Sequence, residues 1–270
     1  MKKKNFAYQY GPWALVAGGS DGIGRAFSLE LARRGLNVII VGRREHLLRS
    51  VYSEIKENYP VQVKAIKTDL RKNESRNGLM NATAGKEIGL LVYNAAMSPI
   101  GEFIDTPADD LYGAVETNCL GPLSLVRHYA SLMKPRGKGG VILMSSMTAF
   151  QGTPLVAAYG ATKAFNLILA EGIGYELSPS GIDVLACCAG ATLTSNYINS
   201  KPDRSRKPPA TEMTPEMVVE ETMKALGKKR VLIPGRLNRI FGFILSRLLP
   251  RKLTVSLFGK NMYSLYKNLN

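Results

Sequence analysis

Tyr159 and Lys163 stand four positions apart, and Ser146 precedes the tyrosine by thirteen positions. Residues four apart on a helix lie side by side. The ammonium group of Lys163 is therefore predicted to stabilise a phenolate and to lower the pKa of Tyr159 from about 10 toward neutrality. Ser146 could hydrogen-bond a substrate carbonyl, and Ser145 takes that place if the register differs by one residue. These side chains predict proton transfer to a carbonyl oxygen or from a hydroxyl group.

A glycine-rich turn near the start of the chain complements this set. Gly18, Gly22 and Gly24 follow the apolar run at 13–17. Glycines permit a tight turn and close backbone approach, and the helix that begins near Ile23 offers free N–H groups to a phosphate. The position between a strand and a helix is the context that a dinucleotide-binding turn requires. An ordinary strand–turn–helix without a ligand is the alternative.

The end of the second strand predicts which dinucleotide binds. An acidic residue there would bind the ribose 2′-hydroxyl of NAD, but this chain has Arg43 and Arg44. Guanidinium groups pair well with a 2′-phosphate, so the sequence favours NADP(H), and Arg25 could add charge. Asp69 could accept from an adenine amino group or cap the next segment. The small side chains at 94–96 would let a cofactor lie close.

Strand-like and helix-like segments alternate along the chain, which predicts a parallel sheet covered on both faces, with ligands at the carboxyl ends of the strands. Strands are predicted at 13–17, 37–41, 61–68, 89–93, 141–144 and 182–188. Helices are predicted at 24–34, 45–58, 109–133, 158–177 and 215–226.

The length of 270 residues fits one catalytic domain at 1–227 with an extension at 228–270. Residues 195–226 are predicted to form a substrate lid, which is polar and basic over 195–214, and the helix that follows it. The three cysteines (Cys119, Cys187 and Cys188) are too few and too irregularly placed for a disulfide framework, which favours a reducing, cytoplasmic location. We find no secretory signal, no apolar run long enough to span a bilayer and no Cys/His cluster for a metal.

The charge is +15 and uneven, because no acidic residue follows Glu221. This asymmetry predicts an anionic partner for the C-terminal end, with a solvated basic face as the alternative. Residues 236–249 combine arginines with bulky apolar residues, typical of an amphipathic helix lying peripherally on a membrane. Docking of that helix on the enzyme itself, or on a second subunit, is equally consistent. Charge alone suggests nucleic acid, and no aromatic platform or reading helix supports specific binding.

Together these motifs resemble the short-chain dehydrogenase/reductase family in its single-domain form. The similarity runs from about 13 to 226, and within the family the chain is closest in pattern to 3-ketoacyl and 17β-hydroxysteroid reductases. Ala17, Ala96 and Ala189 depart from the family pattern, and none of them removes a reacting group.

The resemblance implies a doubly wound (Rossmann), mostly parallel seven-stranded α/β sheet with helices on both faces. It implies that Tyr159 donates or accepts the proton and that Lys163 also holds the nicotinamide ribose. Ser146 would position the carbonyl, and Asn118 would keep a water in the proton relay. The cofactor-binding residues that it implies are Gly18, Ser20, Asp21, Gly22, Ile23, Gly24, Arg43, Asp69, Leu70, Asn94, Ala95, Ala96, Tyr159, Lys163 and Thr194.

The predicted function is NADP(H)-dependent interconversion of a ketone and a secondary alcohol on an apolar substrate of the fatty-acyl, steroid or retinoid type. The rival is a non-catalytic NADP-binding protein that acts through its basic tail. The resemblance also implies a homodimer or homotetramer formed through the two long helices.

Overall fold

A seven-stranded, wholly parallel sheet forms the centre of the protein in a computed structural model, which describes residues 5–203 and 212–266. The strands are β1 (Trp13–Ala17), β2 (Asn37–Gly42), β3 (Val63–Lys67), β4 (Ile88–Tyr93), β5 (Gly139–Ser146), β6 (Ile182–Ala189) and β7 (Val231–Leu232). Their order across the sheet is β3-β2-β1-β4-β5-β6-β7. The strand order reverses between β1 and β4, and a doubly wound sheet binds its ligand at the carboxyl edge beside such a reversal. The predicted fold class is confirmed.

Helices cover both faces of the sheet. They are α1 (Phe6–Tyr10), α2 (Gly22–Arg33), α3 (Glu45–Asn58), α4 (Asn73–Ala82), α5 (Ala108–Val115), α6 (Gly121–Met133), α7 (Ala157–Leu177), α8 (Ser195–Asn199), α9 (Pro215–Ala225), α10 (Arg236–Phe243) and α11 (Arg251–Leu265). Alternate residues of β1 point to opposite faces, as the period of a strand requires. Ala14 and Val16 pack with α2, α3 and α9, whereas Leu15 and Ala17 pack with α4, α6 and α7.

The predicted helix at 109–133 is interrupted by a π-helical turn, Glu116–Leu120. Pro122 has no N–H to donate to the carbonyl of Asn118, four residues earlier. That carbonyl instead accepts a hydrogen bond of 2.9 Å from the side chain of Asn166 on α7. The side chain of Asn166 therefore links α7 to the π-helical turn that lies between α5 and α6.

The elements without a counterpart in the predicted pattern include α1, α4 and β7, and also α8 and α11. The N-terminal helix α1 is short, α4 is polar and contains Gly78, and β7 has only two residues, so none carries a clear hydrophobic period. Strand β7 lies within 228–270, and its residues pair with Ala186 and Cys187 of β6. The C-terminal segment thus begins as part of the sheet.

The rest of that segment folds into α10, a π-helical turn at Ile244–Leu248, and α11. The predicted amphipathic helix at 236–249 corresponds to the first two of these. Within the described ranges, no helix is both long enough and apolar enough to cross a membrane. Part of the predicted lid, 204–211 with Pro208 and Pro209, lies outside the described residues.

Candidate active site

The glycine turn brings the backbone of β1 against the segment that follows β4. Gly18 has a positive φ of 78°, and a Cβ atom there would lie 2.6 Å from the backbone nitrogen of Ala95. A Cβ at Gly24 would overlap the carbonyl oxygen of Gly18. The side chain of Asn94 donates a hydrogen bond of 2.9 Å to that same oxygen. The turn and the Asn94-Ala95-Ala96 segment therefore form one tight cradle with no room for side chains at these glycines.

Asp21 joins three parts of the cleft. Its carboxylate caps α2 by accepting from the backbone N–H of Gly22 at 2.7 Å, and it forms an ion pair of 2.8 Å with Arg44. The hydroxyl of Ser195, at the start of α8, donates to the same carboxylate at 3.0 Å. Thr194 caps α8 and lies so near that a Cβ at Gly22 would approach its methyl group within 2.7 Å. The beginning of the predicted lid thus rests on the cradle.

The arginines around the cradle differ in their partners. Arg25 forms a two-pronged ion pair with Glu54, at 2.6 and 2.7 Å, so it does not supply the free positive charge that the sequence suggested. Arg43 is exposed and lines the cleft, and its guanidinium forms no hydrogen bond or ion pair within 5–203 or 212–266. Of the three, Arg43 is the one available for an anionic ligand.

Asp69 and Leu70 also line the cleft, beyond the end of β3. Arg71 forms an ion pair with Asp69, at 2.9 Å. Burial opposes ionisation of this carboxyl group, but the hydrogen bonds from Arg71 outweigh it and hold the pKa of Asp69 below its usual range. The Asp69 carboxylate remains an acceptor at the same edge of the sheet as Gly18.

Ser146, Tyr159 and Lys163 line the same cleft. Ser146 is the last residue of β5, and the other two lie on the first turns of α7. The ammonium nitrogen of Lys163 lies 5.4 Å from the centre of the Tyr159 ring and donates to the carbonyl of Met144 at 2.8 Å. The hydroxyl of Ser145 donates to the carbonyl of Lys163 at 2.7 Å, and Ser146 is the serine that hydrogen-bonds the tyrosine. Ser146 is therefore the serine beside Tyr159, and its contact with a substrate oxygen stays a prediction.

The predicted lowering of the tyrosine pKa is not found. Burial raises the pKa of Tyr159 to about 12, although the hydrogen bond with Ser146 acts in the opposite direction. Burial also lowers the pKa of Lys163 to about 8, because a charged ammonium group is disfavoured away from water. The spacing rule considered only the neighbouring Lys163 and left out the burial of the tyrosine itself, which dominates its pKa.

Asn118 is fully buried in the π-helical turn, and its side chain is already engaged. The amide oxygen accepts from the backbone N–H of Met97, and the amide nitrogen donates to the Met97 carbonyl, both at 2.8 Å. The amide nitrogen also lies 2.9 Å from the hydroxyl of Thr162 on α7. Asn118 therefore fixes the backbone after β4 to the helix that carries the tyrosine, and its place in a proton relay stays a prediction.

Comparison with known proteins agrees with this geometry. A sequence model of the short chain dehydrogenase family matches residues 12–205. This chain belongs to the short-chain dehydrogenase family. Its members act on CH–OH groups with a nicotinamide cofactor, so this short-chain dehydrogenase is an oxidoreductase.

Individual relatives are hydroxysteroid dehydrogenases and oxoacyl reductases. The 7beta-hydroxysteroid dehydrogenase of Collinsella aerofaciens is 32% identical over 237 residues, which are 87% of this chain and 90% of the relative. The very-long-chain 3-oxoacyl-CoA reductase of Macaca fascicularis is 31% identical over 242 residues, 88% of this chain and 76% of that protein.

Solved structures extend the likeness to three dimensions. A structure of a 7beta-hydroxysteroid dehydrogenase superimposes with a TM-score of 0.86 at 30% identity, covering 94% of this chain and 99% of that one. A short-chain dehydrogenase from Sphingobium yanoikuyae in complex with NADPH gives a TM-score of 0.75 at 28% identity, covering 83% of this chain and 87% of the other.

The cleft of this short-chain dehydrogenase has a volume of about 620 Å³, and one wall of it was missed from the sequence. Residues of the C-terminal segment form that wall: Phe241, Phe258, Asn261, Met262, Leu265 and Tyr266. Four of them recur at positions 258, 261, 262 and 265, the spacing of one helix face. This helical spacing could have predicted α11 from the sequence, but it does not reveal which part of the protein the helix packs against.

Proposed function

We propose that this short-chain dehydrogenase uses NADP(H) to interconvert a ketone and a secondary alcohol on an apolar substrate of the steroid type. The observation that carries the proposal is the meeting of the glycine cradle with Ser146, Tyr159 and Lys163 in one cleft. The relatives support the substrate class, because a 7beta-hydroxysteroid dehydrogenase structure matches 94% of this chain. That match must include part of the C-terminal segment, which lines the cleft.

The residues present fit a dinucleotide. The cradle at Gly18 and Gly24 has no space for a Cβ atom, so backbone N–H groups can approach a pyrophosphate closely. The guanidinium of Arg43 is free to pair with a 2′-phosphate. Bound NADP(H) would supply or accept the hydride.

The other cofactor contacts follow from position in the cleft. Asp69 and Leu70 would hold the adenine end, where the lowered pKa of Asp69 keeps the carboxylate ionised as an acceptor. Ala95 and Ala96 would leave room beside the ribose, and Thr194 would contact the nicotinamide end from the start of α8. The remaining cradle residues Ser20, Asp21, Gly22 and Ile23 also line the cleft.

Proton transfer is assigned to Tyr159. Its phenol is protonated at neutral pH, since its pKa is raised to about 12, so it is ready to donate when a ketone is reduced. Ser146 would hydrogen-bond the substrate oxygen. The ammonium of Lys163 would stabilise the phenolate left behind, because opposite charges favour the ionised form. In the oxidation direction the same proton returns to the tyrosine.

The test is an assay of the full chain by absorbance of reduced nicotinamide. The panel comprises a 7-oxosteroid, a 3-oxoacyl-CoA and a simple bulky ketone, each with NADPH and with NADH. We expect the 7-oxosteroid with NADPH to give the highest kcat/KM. Turnover of the acyl-CoA alone would replace the steroid proposal, and no turnover of any ketone would contradict the enzymatic proposal.

Two arginine variants, one of them a control, test the preference for NADPH over NADH. Arg43→Ala removes the free guanidinium, so the NADPH preference over NADH is expected to fall roughly 10-fold or more, since hydrogen bonds to charged groups contribute about 1.5–3 kcal/mol. Arg25→Ala removes an arginine that is already paired with Glu54 and should leave the preference unchanged. Equal effects of the two substitutions would contradict the assignment of Arg43.

We also propose peripheral contact with an anionic membrane through 228–270. Leu237, Ile240, Phe243 and Leu248 project outward from α10 and the following turn with 50–62% exposure. Arg236 and Arg247 lie among them, whereas Arg239 forms an ion pair with Glu221. Apolar side chains combined with basic ones are typical of interfacial helices.

Flotation with anionic liposomes tests this contact. Deletion of 228–270 would also remove β7 and a wall of the cleft. A Leu237→Ser/Phe243→Ser variant is a better test, because it changes only exposed side chains. A Tyr8→Ser/Leu132→Ser variant loses exposed apolar groups elsewhere and is the control. We expect reduced flotation of the first variant only. Equal flotation of both would contradict the membrane proposal.

Homo-oligomers are proposed through the long helices. Tyr112 on α5, Leu123 on α6, and Ile168 and Tyr175 on α7 are exposed apolar residues of 44–73% relative accessibility. Burial of such side chains against a second copy is favourable. Light scattering coupled to size exclusion should show a dimer or tetramer, and Ile168→Lys should shift it toward monomer. A monomeric wild-type chain would contradict this part of the proposal.

A further inference from the structure

The helix α11 lies across the substrate half of the cleft and is held there by three other segments. A Cβ at Gly259 would lie 3.2 Å from the ring of Pro154, in the loop between β5 and α7. The hydroxyls of Ser200 and Tyr266 share a hydrogen bond of 3.0 Å, and the backbone N–H of Asp203 donates to the carbonyl of Leu265 at 2.7 Å. On the third side, the hydroxyl of Tyr263 donates to Glu102 at 3.3 Å.

The face that α11 turns to the cleft is apolar except at one position. Phe258, Met262 and Leu265 line the cleft, and Asn261 lies among them. The side chain of Asn261 has no hydrogen-bond partner anywhere in the portion of the chain that the structure describes. Lys260 and Tyr263, its neighbours off this stripe, are exposed instead.

An unpaired amide in an apolar wall restricts what can bind beside it. Water can satisfy the half-buried Asn261 in the free enzyme. An apolar substrate displaces that water and leaves the amide without a partner, which weakens binding. A substrate that brings a hydrogen-bonding group to this place avoids this loss.

We propose that α11 forms a distal substrate subsite in which Asn261 hydrogen-bonds a second polar group, a hydroxyl or carbonyl at the end of the substrate remote from the reacting carbon. The inference rests on the proposed function and narrows it. The substrate is then an apolar body with polar groups at both ends, one reacting beside Tyr159 and the other held by Asn261. Asn261 is a specificity-determining residue and takes no part in proton transfer.

The test compares two ligands that differ at one end, a 7-oxosteroid with a 3-hydroxyl group and the same steroid without it. Binding to the full-length chain is measured by calorimetry, and kcat and KM are measured with NADPH. In the wild-type chain the hydroxylated ligand should bind roughly 10-fold more tightly, a difference that appears in KM rather than kcat. Asn261→Leu should abolish the selectivity, and Asn261→Gln should restore part of it.

Lys260→Leu makes the same apolar replacement one position away on an exposed part of the helix, and it should keep the wild-type selectivity. Thermal unfolding of each variant checks that the fold is intact. Selective binding that Asn261→Leu abolishes supports the subsite even if neither steroid is turned over, an outcome that would count against the proposed function alone. Turnover without selectivity, or selectivity that survives Asn261→Leu, contradicts the subsite and leaves the function standing. Failure of both ligands to bind contradicts both.

Discussion

The cofactor half and the substrate half of this cleft are built in different ways. The cofactor half consists of backbone brought close by absent side chains, as where Gly18 meets Ala95 and Gly24 meets the Gly18 carbonyl. The substrate half consists of side chains from distant segments: Val156 and Met147, before α7, line it together with Phe258 and Met262 of α11. The first kind of construction tolerates almost no change of residue. The second kind can accept new residues without loss of the cofactor.

Tyr159→Phe tests the point where the two halves meet and should have the largest effect. It removes the proposed proton donor and keeps the ring, so kcat for ketone reduction should fall by about 10²–10⁴. NADPH affinity should stay near that of the wild-type chain, which equilibrium titration would show. A variant with unchanged turnover would remove the tyrosine from the reaction and with it the proposed mechanism.

Gly24→Ala tests the rigidity of the cofactor half. The new methyl group would overlap the Gly18 carbonyl, so the turn must open at a cost of about 1–3 kcal/mol or more. We expect a lower melting temperature and at least about a tenfold loss of NADPH affinity. Gly78→Ala on α4 is the matched control, because its Cβ would meet nothing within 4 Å and should instead stabilise the helix by about 0.5–1 kcal/mol. An unchanged NADPH affinity in Gly24→Ala would contradict this prediction, because it would show that the turn accommodates a methyl group without losing the cofactor site.

The difference between the halves explains what the sequence could predict. The cradle and the Tyr159–Lys163 pair are local patterns, whose spacing fixes their geometry once a strand and a helix are in place. The wall formed by α11 depends on contacts such as Ser200 with Tyr266, which are 66 positions apart. No local pattern contains that information.

The missed details are also of long range. The partner that neutralises Arg25 is Glu54, from the next helix. The raised pKa of Tyr159 comes from burial by several segments at once. Even the π-helical turn at Asn118, which Pro122 favours, is completed by Asn166 from α7. Spacing in the sequence predicted which residues line the cleft, and the folded surroundings decide their charge.

The buried ammonium group predicts opposite pH trends for activity and stability. The pKa of Lys163 is lowered from 10.5 to about 8. Between these values the unfolded chain binds more protons than the folded one, so this group makes stability rise with pH above about 8. Over the same range Lys163 loses the charge that stabilises the phenolate, so kcat/KM for reduction should fall, up to about tenfold per pH unit once deprotonation dominates.

Measurements between pH 7 and 9 separate this effect from the buried thiols. The pKa of both Cys187 and Cys188 is raised by burial to about 12, so the folded chain retains their protons above about pH 9 and their contribution falls as pH rises further. Lys163→Met should flatten both the stability trend and the activity trend, whereas Lys260→Met, on the exposed side of α11, should keep both. Parallel pH profiles in the wild type and Lys163→Met would contradict the role of the buried charge.

Tyr266→Phe tests the substrate half by the smallest change. It removes the hydroxyl that bonds Ser200 and keeps the ring in the cleft wall. Loss of this largely buried hydrogen bond should lower the free energy of unfolding by about 0.5–1.5 kcal/mol. The end of α11 should then be held less firmly, so KM for a bulky ketone should rise by a factor of roughly 2–10, with kcat and NADPH affinity unchanged. Tyr263→Phe removes the longer, exposed bond to Glu102 and should have a smaller effect. A fall in NADPH affinity in Tyr266→Phe would show instead that the wall and the cradle act as one unit, coupled through the segment that runs from Ser195 to Ser200.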